Sequence, residues 1–265
     1  MDPLHSEIFN YKGMKISITQ TGEGRPLILL HGWGSNSRVM EPVARQLASI
    51  RKSHLIDLPG FGKSPPPAQP WTIDDYTDLV EDYIRSLDES TVDLLVHSFG
   101  GRITLKLLTR PDIASRVDKV VITGGAGMKP RRSVSFYLKK YTAKTMKAPA
   151  MLLPGNLREQ ALEKIRSTRL WKRLGSVDYR KLDGVMRETF VLTVSEHLDE
   201  LLPQIDHDIL LLWGENDEST PIDQAKRMEQ GLRRSALVTI EGAGHYPFLD
   251  RPKKFVSIAR AYFEG

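Results

Sequence analysis

The sequence predicts an α/β protein whose mostly parallel sheet carries helices on both faces, and three observations predict it. Short apolar, strand-like runs alternate along the chain with longer stretches of helical periodicity, the pattern of repeated βαβ units. The run Pro26-Leu27-Ile28-Leu29-Leu30 is continuously apolar, as a strand buried on both faces of a parallel sheet must be. With 265 residues, 40% hydrophobic and 27% charged, the chain can bury a substantial core, which excludes disordered, collagen-like and coiled-coil classes.

In chain order, apolar alternation around Glu7–Tyr11 and Met14–Thr19 flanks the turn-prone Lys12-Gly13 and predicts a β-hairpin. After the Pro26–Leu30 strand, helical spacing runs over Val39–Leu47, and His54–Leu58 is a short strand. Ile73–Leu87 is a strongly periodic helix, Val92–Val96 a strand, Phe99–Leu108 a helix and Val117–Ile122 a strand. The alternation resumes with strand Ile209–Trp213, helix Ile222–Leu232, strand Ala236–Ile240 and a terminal helix over Pro252–Phe263. Between them, from about Met128 to Glu200, no strand is evident. Leu157–Leu170 and Leu182–Val194 are the best helices there, with Pro149, Pro154 and Gly175 as breakers. Residues 128–200 are therefore expected to form a helical cap, or lid, inserted into a core of residues 1–127 and 201–265. No internal repeat occurs, and Ser64-Pro65-Pro66-Pro67 reads as a stiff surface loop.

No apolar run approaches the roughly 20 residues needed to span a bilayer. The opening MDPLHSEIFNYKG has neither a basic nor an apolar signal region, so a cytoplasmic location is expected. The absence of cysteine excludes disulfides, thiolate metal sites and a cysteine nucleophile. The net charge of +5 is uneven: between Lys129 and Arg173 thirteen basic residues face two acids, so that stretch carries +11 and the remainder −6.

Val96-His97-Ser98-Phe99-Gly100-Gly101 falls where a strand ends and a helix begins. A nucleophilic serine needs such a turn, which lifts its hydroxyl above the sheet edge at a helix N-terminus. Gly100 supplies the small residue two positions after the serine, whereas Val96 stands where G-x-S-x-G has glycine. Alternatively, Ser98 only N-caps the helix. Leu30-His31-Gly32-Trp33-Gly34 follows another buried strand, and the Trp33 N–H, paired with that of Phe99, is placed to bind an oxyanion beside Ser98. The plainer reading of that segment is a connecting turn, with His31 bonding backbone nearby. A base is required, because a serine hydroxyl is a weak nucleophile. Of seven histidines, only His245 lies in a glycine-containing loop late in the chain, directly after a predicted sheet strand. His97 is expected to pack under the turn, since consecutive strand residues face opposite ways, and His54 and His207 are expected at strand starts, the wrong end. The carboxylate that orients the base is expected in Gly214–Pro221. Asp217 is chosen there, with Glu215 and Glu218 as solvating charges.

The segments HGWG, DLPGFGKS (Asp57 to Ser64), HSFGG, WGENDESTP (Trp213 to Pro221) and GAGHYPFLDRP (Gly242 to Pro252), in this order, resemble the α/β-hydrolase fold family, in its small single-domain esterase-like group. The resemblance covers nearly the whole chain. It implies Ser98 as nucleophile, His245 as acid/base and Asp217 as its orienter. Trp33 and Phe99 N–H groups then form the oxyanion hole, with His31, Gly32 and Gly100 in support. Val96 is the departure from the pattern.

Ester hydrolysis through an acyl-enzyme is the expected reaction on a small-molecule ester, with no cofactor and no metal. Carbon–carbon bond hydrolysis on the same fold is one alternative, and a catalytically silent ligand-binding or receptor-like protein is another. The basic insertion reads as a solvated face, as a guide for anionic substrates or an acidic acyl carrier, or as a membrane or nucleic-acid contact. For the last, Phe136, Tyr137, Tyr141 and Trp171 interleave with the charge, yet no nucleic-acid-binding module accompanies them. Aromatics and methionines of the insertion, Met128, Met146 and Met151 among them, are expected to line an acyl pocket or pack the cap.

Overall fold

The computed structural model describes residues 4–131, 145, 148–150, 153–168 and 184–265. Within the basic segment, residues 132–144, 146–147, 151–152 and 169–173 lie outside the described residues, and with them the aromatics expected there, Met146 and Met151. The chain divides into two compact units, Met1–Lys129 with Glu188–Gly265, and Pro130–Arg187.

In the first unit the strands are β1 (His5–Tyr11), β2 (Met14–Thr21), β3 (Pro26–Leu30), β4 (Lys52–Ile56), β5 (Val92–His97), β6 (Val117–Thr123), β7 (Asp208–Gly214) and β8 (Arg234–Ile240). They form one sheet in the order β1-β2-β4-β3-β5-β6-β7-β8. The hairpin β1–β2 and its junction with β4 are antiparallel, and every other pairing is parallel. At the hairpin, Lys12 and Gly13 take φ 48° and 82°. Two consecutive left-handed residues match the twist of the flanking strands, which explains this tight turn.

The helices are α1 (Glu41–Leu47), α2 (Ile73–Arg85), α3 (Phe99–Leu107), α4 (Pro111–Ala114), α5 (Gly155–Ser167), α6 (Gly184–Ser195), α7 (Ile222–Gly231), α8 (Pro247–Asp250) and α9 (Pro252–Glu264). α5 belongs to the second unit, and α6 counts with the sheet unit from Glu188 onward.

Strand alternation sorts the core into two layers. Leu27, Leu29, Leu95, Val121, Leu210 and Leu212 pack with Val43, Ala44 and Leu47 of α1 and Phe255, Ala259 and Phe263 of α9. The residues between them, including Ile28, Leu30, Leu94, Val96 and Ile122, are fully buried on the other face, where α3 packs on β3 and β5 and α7 on β7 and β8. Because β3, β5, β6, β7 and β8 run parallel, the loops that follow them all emerge at one edge. Active sites of open α/β sheets form at that edge.

The placement of His54 differs from the sequence expectation. His54 is the third residue of β4 rather than its first, because the strand begins at Lys52. Its buried ring bonds the Tyr83 hydroxyl at 2.7 Å, so pairing inside the fold accounts for it.

Candidate active site

The strand β5 ends and α3 begins at Ser98, whose φ of 50° and ψ of −105° lie outside the regions a serine favours. Such a conformation costs on the order of 1–3 kcal/mol and persists only where the surroundings over-determine it. Here they do: the Ser98 N–H donates to Thr123 O at 3.0 Å, and the Ala126 and Gly101 N–H groups donate to Ser98 O at 2.9 and 3.0 Å. Ser98 makes no side-chain capping bond to the helix. Its hydroxyl is thus not spent as an N-cap.

The close approach behind this turn falls at Gly100. A Cβ there would sit 2.7 Å from both the Cβ and the carbonyl oxygen of Leu30. Val96, two residues before the serine, is fully buried in the regular ladder between Leu30 and Ile122. A left-handed backbone is required only at Ser98 and not at residue 96, so valine fits the strand.

The loop after β3 closes against the same turn. A Cβ on Gly32 would lie 2.8 Å from His97 Nδ1 and 3.1 Å from Ser98 Cβ, so a larger residue here would force the two loops apart. Trp33 follows, its ring 5.2 Å from that of Phe99, and Gly34 takes φ 74°. His31 is buried. Its Nδ1–H donates to Gly32 O at 2.8 Å while its Nε2 accepts the Leu58 N–H at 3.1 Å. Burial pushes its pKa down, so the neutral ring staples the loop after β3 to the loop after β4. That second loop is organised by Asp57, whose carboxylate accepts the Ser37 and Lys63 N–H groups at 2.8 and 2.9 Å.

At the end of β7 and β8 two further loops meet. A Cβ at Gly214 would lie 2.0 Å from Gly244 O, and the Asn216 N–H donates to Ala243 O at 2.8 Å. This stitching brings Asp217 Oδ2 to 2.8 Å from His245 Nδ1. A carboxylate only accepts, so Nδ1 carries the proton and Nε2 is left with a lone pair. Asp217 Oδ1 accepts the Ser219 and Thr220 N–H groups at 2.8 and 2.9 Å, and the Thr220 hydroxyl lies 2.8 Å from Oδ2. Burial alone would raise this carboxyl, but the bonds from His245 and Thr220 outweigh it and hold Asp217 below the ordinary carboxylate value.

Four supports were not evident in the sequence. Thr220 completes the shell of Asp217, and the only sequence hint is a hydroxyl three residues after the carboxylate. Glu215, expected to solvate its loop, accepts the Gly242 N–H at 3.0 Å, and Asp250 accepts the Gly244 N–H at 2.8 Å, so both pin the His245 loop. His97 is fully buried against that loop instead of beneath the turn alone. Among the described residues, no three His, Asp or Glu side chains gather as metal ligands, and no helix is long and apolar enough to cross a membrane.

Comparison with known proteins shows the family. The family profile described as alpha/beta hydrolase fold matches residues 25–252. The pimeloyl-[acyl-carrier protein] methyl ester esterase of Aeromonas salmonicida is 30% identical, over 95% of this chain and 100% of its own length. The AB hydrolase superfamily protein YisY of Bacillus subtilis is 27% identical over 91% of this chain and 92% of its own. Among solved structures, an esterase from Exiguobacterium antarcticum superposes with a TM-score of 0.73 at 24% identity, covering both chains fully. A 2-hydroxy-6-oxo-6-phenylhexa-2,4-dienoate hydrolase from Rhodococcus does so with a TM-score of 0.74 at 21% identity, again over the whole of both chains. With the profile spanning most of its length and the loops of its parallel strands converging at one sheet edge, this chain belongs to the α/β-hydrolase fold family.

Proposed function

We propose that this protein is a serine ester hydrolase, with Ser98, His245 and Asp217 as its triad and the Trp33 and Phe99 N–H groups as its oxyanion hole. The observation that carries the reading is the Asp217–His245 bond of 2.8 Å at the sheet edge where Ser98 is held at φ 50°. Ser98 Oγ attacks the ester carbonyl carbon as its proton passes to His245 Nε2. The oxyanion accepts from the two backbone N–H groups. Its collapse expels the alcohol, which takes the proton from Nε2. Water then attacks the acyl-serine, giving its proton to Nε2, and the carboxylic acid leaves as Ser98 regains its proton. General acid/base transfer contributes about 10²–10⁴-fold and each hole donor about 10²–10³-fold.

Fluorophosphonate labelling and nitrophenyl-ester turnover test the assignment. Ser98→Ala should abolish both while melting as wild type does. Wild-type turnover in that variant, or no labelling of the wild-type protein, would sink it. Faster cleavage of an aromatic dienoic acid than of any ester would move the reaction to carbon–carbon bonds.

The substrate we propose is an acyl ester carried by an acidic carrier protein. The Aeromonas relative, named as an esterase of an acyl-carrier-protein methyl ester, matches end to end, and the insertion between β6 and β7 concentrates a charge of +11 within Lys129 to Arg173. Charge of this density steers an acidic partner, and salt screens it beyond about 8–10 Å at physiological strength. Raising salt from 0.05 to 0.5 M, roughly a threefold cut in screening length, should therefore lower kcat/KM for a carrier-bound ester at least about tenfold and leave a small neutral ester nearly unchanged. Equal salt dependence for both would count against the carrier.

A further inference from the structure

We propose that His97 is a positioning residue, whose imidazole N–H holds the acid/base loop in register with the nucleophile through the His245 backbone carbonyl. This inference rests on the reading of Ser98 and His245 given above. His97 ends β5 immediately before Ser98, so its backbone is rigidly tied to the nucleophile. Its side chain leaves the strand on the other side and is fully buried. Nε2 lies 2.9 Å from His245 O. A carbonyl only accepts, so Nε2 carries the proton. The ring sits 4.7 Å from the His245 ring, 4.6 Å from Tyr246 and 5.2 Å from Phe248, centroid to centroid, which leaves it little freedom to turn.

The opposite edge reaches the third part of the site. A Cβ on Gly32 would come within 2.8 Å of His97 Nδ1, so this edge backs the loop that presents Trp33. Nδ1 is buried and has no hydrogen-bond partner among the described residues. An apolar ring would remove the unsatisfied Nδ1 but would also take away the donor that His245 O accepts, so shape alone does not replace the imidazole. What the imidazole adds is a donor aimed at the His245 backbone. The groups facing it are His245, Asp217 and His31, and burial, reinforced by His245, pushes its pKa down to about 3. The ring therefore stays neutral and does not oppose the imidazolium that His245 becomes during the reaction.

Two amides separate the ring edges. The amide nitrogen of glutamine overlays Nε2, whereas that of asparagine, one methylene shorter, overlays Nδ1 and cannot reach His245 O. H97Q should keep kcat within about threefold of wild type, and H97N should lose kcat on the order of 10²-fold with KM changed less than about threefold, the signature of misplaced catalytic groups. Wild-type kcat in H97N, equal losses in both variants, or a change confined to KM would overturn the role. A second measurement needs no variant: ¹⁵N-histidine NMR of the wild-type protein should show His97 as the Nε2–H tautomer, with no titration above about pH 5. A proton on Nδ1 overturns the proposal, including in the case that H97N fails to fold. Failure of the enzymatic reading looks different, since Ser98→Ala would then keep wild-type turnover.

Discussion

Asp217 shows how much one carboxylate can set. It holds His245 in the tautomer whose Nε2 can take a proton, and it is held in turn by Ser219, Thr220 and the His245 ring. In Asp217→Asn the amide oxygen will stay with the Ser219 and Thr220 N–H groups and turn its NH₂ toward Nδ1. Nδ1 must then accept, Nε2 carries the proton, and the proposed base can no longer take one from Ser98. We expect kcat to fall by about 10⁴-fold with little change in melting temperature, read by steady-state kinetics beside a thermal scan. The sheet-edge positions of Ser98, His245 and Asp217 are legible in the sequence because each sits at a fixed offset from a strand end. The supports Thr220, Glu215, Asp250 and His97 are not, because each acts through a partner 3 to 148 residues away in sequence.

Among the elements, those with strong local signals match their expected positions closely. The helix expected over Ile73–Leu87 spans Ile73–Arg85. Thr72 opens it with a reciprocal capping box: its hydroxyl accepts the Asp75 N–H at 3.3 Å, and the Asp75 carboxylate accepts the Thr72 N–H at 2.7 Å. Thr72→Ala should destabilise the protein by about 1 kcal/mol in a urea titration without altering kcat, because the cap lies outside the proposed chemistry. The short elements were harder to read. The expected helix over Val39–Leu47 is split into a 3₁₀ turn, Ser37–Met40, and an α-helix from Glu41, where Pro42 stands in the first turn. α4 carries only Pro111–Ala114 and has too few residues to show a period.

For the molecule as a whole, buried neutral histidines shape the response to acid. Burial, with a smaller contribution from Lys52, pushes His54 down to about 4, burial and His245 push His97 to about 3, and His31 is also lowered. Unfolded histidine titrates near 6.5. Between about pH 6.5 and 4 the unfolded chain therefore binds more protons than the folded one, and stability falls as pH falls by about 1.4 kcal/mol per pH unit for each of His54 and His97. His54→Gln should remove about that much from the slope between about pH 6 and 4.5, measured by urea unfolding. An unchanged slope would show that His54 is protonated in the fold.

Local chemistry in the sequence was enough to determine the alternation of strands and helices, the hairpin at Lys12-Gly13, the strand-to-helix turn at Ser98 and the order of the chemical groups. These follow from periodicity, turn residues and loop position, all of which act over a few residues. Only the tertiary structure decided what surrounds those groups. The strained φ of Ser98 needs Thr123 and Ala126, and the shared edge of the His245 and Asp217 loops needs β7 beside β8. The buried histidines acquire their neutrality from burial that no residue possesses in isolation. Hydrogen bonds between distant segments and the desolvation of side chains are properties of packing, and packing exists only once the sheet has formed.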